Sequence, residues 1–500
     1  FDSGPWFGGP MPFEAELAVE EDTVADGDDG GRDESTSGPT FTPPQSAPAE
    51  GGELVEGVDF SGTNVQETGV DEADIVKTDG ERVFVVSGNE LVVVDVASRE
   101  VTGATELPEG NRAELFLSGD ELLYLTQTWV GGDGPWPVEP FAAEAGLDIA
   151  FPTETSQTVI SRVSVDGGVP TTLDSMTVEG EYVSSRAVDG TARVVLRSNP
   201  QYRFPFVYPQ SEAGEERAEQ ANREALLESE LADWLPAYTV VDAEGEVIDD
   251  GLFPACEQVH APDEFSGFGV LTVLSVDVDG TIDASEATAV LAPGNVVYSS
   301  PASLYVATQA WAEPVPVDEQ ESFDADDWQA LWTDRRTALH RFELSADGAA
   351  YTASGTVPGD VRDSFSLSEH DGHLRVVTTT GETWDETSES FVRVLRESDG
   401  ALVEVGSVGD LGNGEAVQSV RFVGDIGYVV TFRQVDPFYT LDLSNPEDPR
   451  VLGELKIPGF SSYLHPIGEG LVLGVGSDAD QSGRVTGAKV SLFDVTDLAD

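Results

Sequence analysis

From about residue 60 onward, short apolar runs alternate with turn residues, and one pattern recurs along the chain. An apolar strand meets a Gly/Asp/Asn turn and continues into a second apolar strand, which is the pattern of a β-hairpin. Copies run over Val83–Val94, Leu115–Leu125, Tyr182–Leu196, Val296–Val306, Phe365–Val377, Val420–Val430 and Tyr463–Leu473. Most are followed by a second pair of strands with its own turn, as in Leu339–Gly348 into Tyr351 and Phe438–Pro446 into Val451–Leu455. Two hairpins per repeat make a four-stranded antiparallel unit, and repetition of that unit predicts an all-β fold, a β-propeller of seven or eight blades.

Insertions interrupt the spacing near 129–156, 199–265 and 312–336. Residues 212–235 have helix-forming composition between Pro209 and Pro236, with Leu227, Leu231, Trp234 and Leu235 predicted to share one stripe. In the third insertion Trp328, Leu331 and Trp332 suggest a short helix. Such stripes are expected to seal blade edges, and the insertions to lie between hairpins of one blade.

Composition changes this picture at the N-terminus. Residues 1–58 are dominated by Gly, Pro, Asp, Glu, Ser and Thr, too polar to offset their ordering entropy, and read as an acidic tether. The propeller domain is assigned to 59–500. No run of 18 apolar residues exists, so no transmembrane helix is predicted. The chain begins at Phe1, as a processed segment would, and the strand pattern Val490–Thr496 ends close to the last residue, so continuation beyond residue 500 is expected.

The formal charge of −69 argues against nucleic acid and anionic membranes as partners, because both need clustered Lys and Arg. Only Lys77, Lys456 and Lys489 are lysines; all other basic residues are arginine. High acid load with little lysine fits a halophilic-type surface, and equally an exported acidic protein from a GC-rich genome.

Residues 61–80, Ser-Gly-Thr-Asn-Val-Gln-Glu-Thr-Gly-Val-Asp-Glu-Ala-Asp-Ile-Val-Lys-Thr-Asp-Gly, are more specific than any single strand. With Leu339–Phe342, Ser368–Arg375, Gln434–Tyr439, Leu455–Phe460, Tyr463–Pro466 and Ser491–Val495, this segment resembles the signature of a family of secreted prokaryotic β-propeller proteins distantly related to WD40 repeats. The resemblance covers residues 60–500. It implies the propeller fold and an exported, extracellular or cell-envelope location, and it assigns no residue a chemical role.

Candidate chemistry is sparse. Asp478, Asp480 and Ser482, with Gly483 at the sixth position, match the start of a calcium loop, so Ca2+ is the candidate cofactor. Lys489 stands where the bidentate Glu belongs, which favours a polar turn. Ser275, Asp277, Asp279 and Asp283 around Gly280 show the same alternation, but the Asp-Gly pair reads as a simple hairpin turn. His370 and His373 flank another two-residue turn without a third ligand, and Cys256 with His260 reads as a buried structural thiol beside an unrelated histidine. No nucleophile elbow, His-Glu-x-x-His or P-loop occurs.

These features point to a monomeric, non-enzymatic propeller that presents loops to an extracellular protein or polysaccharide. The loops at Asp71–Glu72, Glu369–His370 and Tyr463–His465 are the expected places for a site. The alternative is a carbohydrate-active hydrolase or lyase with paired carboxylates in the axial funnel.

Overall fold

A computed structural model describes residues 64–498 except 132–147, 150–153, 201–206, 209–211, 311–334, 347, 383–386, 434–435, 469 and 481–483. The tether 1–58, the insertion carrying Trp328, Leu331 and Trp332, and Ser482 lie outside the described residues.

Seven antiparallel units follow in chain order, each strand pairing with the next. The first comprises Val76–Thr78, Arg82–Ser87, Glu90–Asp95 and Val101–Glu106, and the second Asn111–Ser118, Glu121–Gly131, Glu154–Ser164 and Thr171–Glu179. The third comprises Glu181–Val188, Thr191–Ser198, Val270–Asp277 and Ala287–Leu291, and the fourth Val296–Ser299, Ser303–Ala310, Arg336–Ser345 and Gly348–Pro358. The fifth is Leu367–His370, His373–Thr380, Glu389–Ser398 and Ala401–Leu411, and the sixth Ala416–Val423, Ile426–Phe432, Asp436–Asp442 and Arg450–Ile457. The seventh has three described strands, Phe460–Gly468, Leu471–Ala479 and Val485–Asp494. These are the blades of a β-propeller.

All seven hairpins expected from the sequence are present, with one difference of phase. Val83–Val94 joins the second and third strands of its blade, whereas every other copy joins the first and second. The first strand of blade one, Val76–Thr78, comes instead from the signature segment.

In blades two to six the strands read as continuous apolar runs because both faces are buried, whereas blade seven leaves Val475, Val490 and Leu492 exposed on one face. Alternate residues of one strand serve different cores. Leu122 and Tyr124 pack against blade one with Phe84 and Leu91, while Leu123 and Leu125 pack against blade three with Tyr182 and Val194. Val195 turns the other way, toward Leu304 and Phe342 of blade four. The same division recurs at Val376 and Val377, and at Tyr428 and Val429. Six apolar clusters thus lie between consecutive blades.

Arginines cross the same seams. Arg82 donates to the Val165 carbonyl (3.1 Å) and to Asp120, linking blades one and two. Arg112 reaches the Tyr182 carbonyl at 2.9 Å, and Arg193 the Ser345 carbonyl at 2.7 Å. Arg341 pairs with Glu397, and Arg375 reaches the Gly424 carbonyl at 2.6 Å. Blades four and five also touch at their outer strands through a parallel bridge, Ser354–Ala401. Gly355 permits that approach, since a Cβ there would sit 2.5 Å from the Leu402 carbonyl oxygen.

The three long connections, 132–153, 199–269 and 311–335, each join the second strand of a blade to its third, in blades two, three and four. The first two meet in a short ladder, Asp148–Ile149 with Val207–Tyr208. The insertion of blade three then adds the hairpin Ala237–Asp242 and Val247–Leu252 to the outer edge of blade two. Its helix spans Glu212–Leu227 and breaks before a short second helix, Leu231–Trp234. The continuous stripe expected there does not form. The Asp233 carboxylate accepts from the Glu230 N–H and restarts the helix, leaving Leu227 and Leu231 exposed and Leu235 buried.

One buried group sets a pH dependence. His340, fully buried in blade four, has its Nδ1 3.2 Å from the Tyr351 hydroxyl, and burial pushes its pKa down to about 4 from an unfolded value of 6.5. The folded state therefore binds fewer protons than the unfolded chain between these values. The neutral imidazole's contribution is complete above pH 6.5 and is lost as pH falls toward 4. Relative to His340→Met, the wild type should lose up to about 3 kcal/mol of stability between pH 7.5 and 4. Urea unfolding of both proteins across that range checks it, and parallel pH profiles would refute it.

Candidate functional site

The first strands of the blades approach the axis of the propeller, and the segment Asn64–Lys77 crosses it as a strap. The strap touches the blades in descending order. Asn64 Nδ2 donates to the Tyr463 hydroxyl of blade seven at 2.7 Å. The Gln66 carbonyl accepts from Arg421 Nη2 of blade six at 3.1 Å, and Gln66 Nε2 donates to the Ser364 and Leu367 carbonyls at the start of blade five. Glu67 accepts from the Tyr298 hydroxyl of blade four at 2.9 Å and from Ser368 Oγ at 3.4 Å. Asp71 and Glu72 pair with Ala187 and Arg186 of blade three, and Asp74 exchanges two backbone bonds with Leu115 of blade two. The strap then enters blade one.

The residue types fit this path. A segment passing through the middle of a propeller meets polar first-strand positions from every side, so its own side chains must both donate and accept. Gly69, at φ +86°, makes the turn between the Glu67 contacts and the ladder on blade three, and Val70 is the strap's buried apolar residue. Lys77, the buried lysine, donates to Asp71 Oδ1 (2.7 Å) and the Glu72 carbonyl (2.6 Å), closing the strap onto itself.

Glu67 is the electrostatic centre. Burial pushes its carboxyl above the usual range, and the Tyr298 hydroxyl, Arg421, Arg375 and Ser368 pull it back in part. Tyr298 is in turn raised by burial and by the Glu67 charge, so its hydroxyl stays a donor. The Tyr298 hydroxyl also accepts the Glu369 N–H at 2.7 Å. The Glu369 carboxylate accepts from Ser300 and Ser303, and Arg341 spans Ser303 and Tyr305 behind it.

The three segments named from the sequence, Asp71–Glu72, Glu369 and Tyr463, lie in strands along or beside the strap. They serve as joints. Asp71 holds Lys77, Glu72 faces Arg186 at 3.6 Å, Glu67 holds Tyr298, and Glu369 holds two serines. The recess among Gln66, Glu67, Phe365, Ser368, Arg421 and Phe422 is too narrow to admit even a water-sized molecule. Small-molecule sites usually occupy roughly 300–1,000 Å3. Glu67, Tyr298, Arg375 and Arg421 are not evident in the sequence as members of one network. The readable signal is an arginine inside an apolar strand, as in Val420-Arg421-Phe422 and Leu374-Arg375-Val376.

The other candidates fall elsewhere. Asp478 closes the strand Leu471–Ala479 and accepts from Thr486 Oγ1 at 3.2 Å, while Asp480 accepts from the Arg484 N–H at 3.2 Å. Both carboxylates thus bind their own hairpin; Ser482 is outside the described residues. Among the described residues no three His, Cys, Asp or Glu side chains form a group able to hold a metal ion. Ser275 and Asp277 lie within a strand that reaches Asp277, and the next strand starts at Ala287. The expected two-residue turn at Asp279-Gly280 is instead a nine-residue loop, 278–286, and Asp277 accepts from Thr191.

His370 and His373 are cross-strand neighbours, but His370 Nε2 faces Asp425 and His373 Nδ1 lies 3.0 Å from the Asp371 carbonyl, so each has its own partner. Cys256 is exposed, correcting the expectation of a buried thiol. Phe253 takes the buried position, and Cys256 begins a surface 3-10 turn, Cys256–Gln258. The His260 ring packs on Tyr351 at 5.4 Å.

Over residues 60–500 the sequence matches the beta propeller domain family, and the chain belongs to that family. It is 48% identical over 163 residues to an uncharacterised protein of Archaeoglobus fulgidus, covering 33% of this chain and 24% of that protein. It is 44% identical over 145 residues to an uncharacterised protein of Methanocaldococcus jannaschii, covering 29% of this chain and 22% of that one. The matched region thus spans about a quarter of the length of these relatives. Among solved structures the chain is similar to BamB from Moraxella catarrhalis, with a TM-score of 0.33 and 9% identity over 83% of this chain and 82% of that one.

The network makes the strap a stability element. Tyr298→Phe removes both the donor to Glu67 and the acceptor for the Glu369 N–H, and should cost about 1–3 kcal/mol. Glu67→Gln, a neutral isostere that still accepts from Tyr298, should cost less. Urea midpoints with unchanged m-values measure both. Two variants as stable as the wild type would show that the strap does not hold the blades.

Proposed function

We propose that this chain is an exported, non-enzymatic scaffold, extracellular or in the cell envelope, that binds a protein or polysaccharide through its rims. The observation carrying this reading is the strap. The carboxylates of Glu67, Asp71, Glu72 and Glu369 are each engaged by a tyrosine, serine, arginine or lysine of the structure itself. An acid–base pair for glycoside cleavage needs two carboxyls facing a substrate-sized space. The strap occupies that space, which moves recognition outward to the loops and insertions. Propellers offer such surfaces without any local motif.

Equilibrium binding of the intact protein to a panel of extracellular polysaccharides and envelope proteins tests the reading. A partner should be retained without release of reducing ends or unsaturated sugars. Depolymerisation of any retained polymer would replace the scaffold with a carbohydrate-active enzyme.

Calcium at the Asp478 loop is proposed only as a stabilising addition. Calcium should then raise the Tm of the chelated protein more than matched magnesium does. Equal shifts would remove the metal from the reading.

A further inference from the structure

Among the described residues the exposed phenylalanines and tryptophans are Trp129, Phe265 and Phe268, and all three belong to one rim. Trp129 lies near the end of the second strand of blade two. Phe265 and Phe268 precede the third strand of blade three. Antiparallel order places the end of a second strand and the start of a third on the same side of a propeller. The ladder between 148–149 and 207–208 ties the insertions of these two blades together.

The loop Asp263-Glu-Phe-Ser-Gly-Phe-Gly269 inverts the usual preference for burial. Ser266, Gly267 and Gly269 are buried, while Phe265 and Phe268 are 52% and 58% exposed. The loop touches blade four and the loop at Ala292-Pro293. Glu264 accepts from Thr356 Oγ1 of blade four at 2.6 Å, Ser266 Oγ donates to the Glu264 carbonyl, and a Cβ on Gly269 would meet Pro293 and the Ala292 carbonyl at 3.1 Å. The two rings pack edge to face, 5.1 Å between centroids. Each ring thus braces the other at the surface, an arrangement that lowers the ordering cost of a ligand-binding surface.

We infer that this aromatic rim binds a neutral polysaccharide. The inference rests on the scaffold reading above and names its ligand class. Phenyl faces stack on the apolar faces of sugar rings, and the adjoining carboxylates of Asp263 and Glu264 can accept hydrogen bonds from uncharged hydroxyls. The same carboxylates, on a chain of formal charge −69, repel polyanionic glycans and a second copy of the chain. Two half-exposed phenyl rings offer far less than the roughly 800 Å2 per partner of a stable protein interface. A few sugar units match that size.

Affinity electrophoresis of the intact protein in gels containing soluble β-glucan, mannan or alginate tests this. One of the neutral polymers should retard the wild type and alginate should not. Phe265→Ala/Phe268→Ala should weaken that retention about tenfold or more at unchanged Tm, and Phe268→Trp should preserve it. Retention by a neutral polymer that survives the double alanine variant would overturn the rim assignment while leaving the scaffold reading intact. Retention by alginate alone, or only by a protein of the panel, would overturn the ligand class. Failure of every polysaccharide and every protein to bind would overturn the scaffold reading as well.

Discussion

The constraint on which this structure depends is that no blade has a core of its own. Blades two to six bury both faces against their neighbours and blades one and seven share one cluster each, so the stabilising unit is the seam between two blades. Residues one apart on a strand, such as Val194 and Val195, contribute to different seams. Apolar packing brings the sheets together without fixing their relative height, because the hydrophobic effect is non-directional. Arginine supplies the direction. Arg82, Arg112, Arg193 and Arg375 each reach a specific carbonyl on the following blade. The guanidinium fork can hold a neutral carbonyl and a second acceptor together, as Arg82 does with Val165 and Asp120. Lysine, a single strongly hydrated charge, suits that task less well. The scarcity of lysine thus has a structural component in addition to any effect of environment.

The strap extends the same logic from pairs of blades to the whole series. Its contacts run from Tyr463 of blade seven to Leu115 of blade two before the segment becomes the first strand of blade one. Blade one therefore cannot shift without moving the segment that contacts all the others. The same segment fills the axis. There Glu67 lies between Tyr298, Ser368 and two arginines.

Much of the architecture was legible because hairpins are local. Turn residues and flanking apolar runs lie within fifteen positions, and all seven pairs named from the sequence form. The phase of the first repeat was less accessible, since Val76–Thr78 is too short to stand out as a strand. Asp279-Gly280 suggested a two-residue turn, but the strand already extends to Asp277 and the return strand begins only at Ala287, so a local dipeptide misled. Cys256 was misplaced for a related reason: residue type favours burial, but Phe253 nearby competes for the interior and wins. The axial network was the least legible feature. Asp71, Glu369 and Tyr463 were singled out as loops, yet the link between Glu67 and Tyr298 spans 231 positions, and nothing local reports a contact of that range.

The charge of −69 takes on a different meaning once these elements are placed. The arginines on the seams and around the strap are committed to internal acceptors. With 94 acidic against 25 basic residues the chain as a whole carries a strongly negative field. On such a chain an exposed aromatic side chain can attract a partner at short range without relying on charge. Phe265 and Phe268, exposed on a loop whose small residues face inward, concentrate that capacity at one point of one rim. The field then acts as a filter, leaving those rings open to uncharged ligands and closed to polyanions.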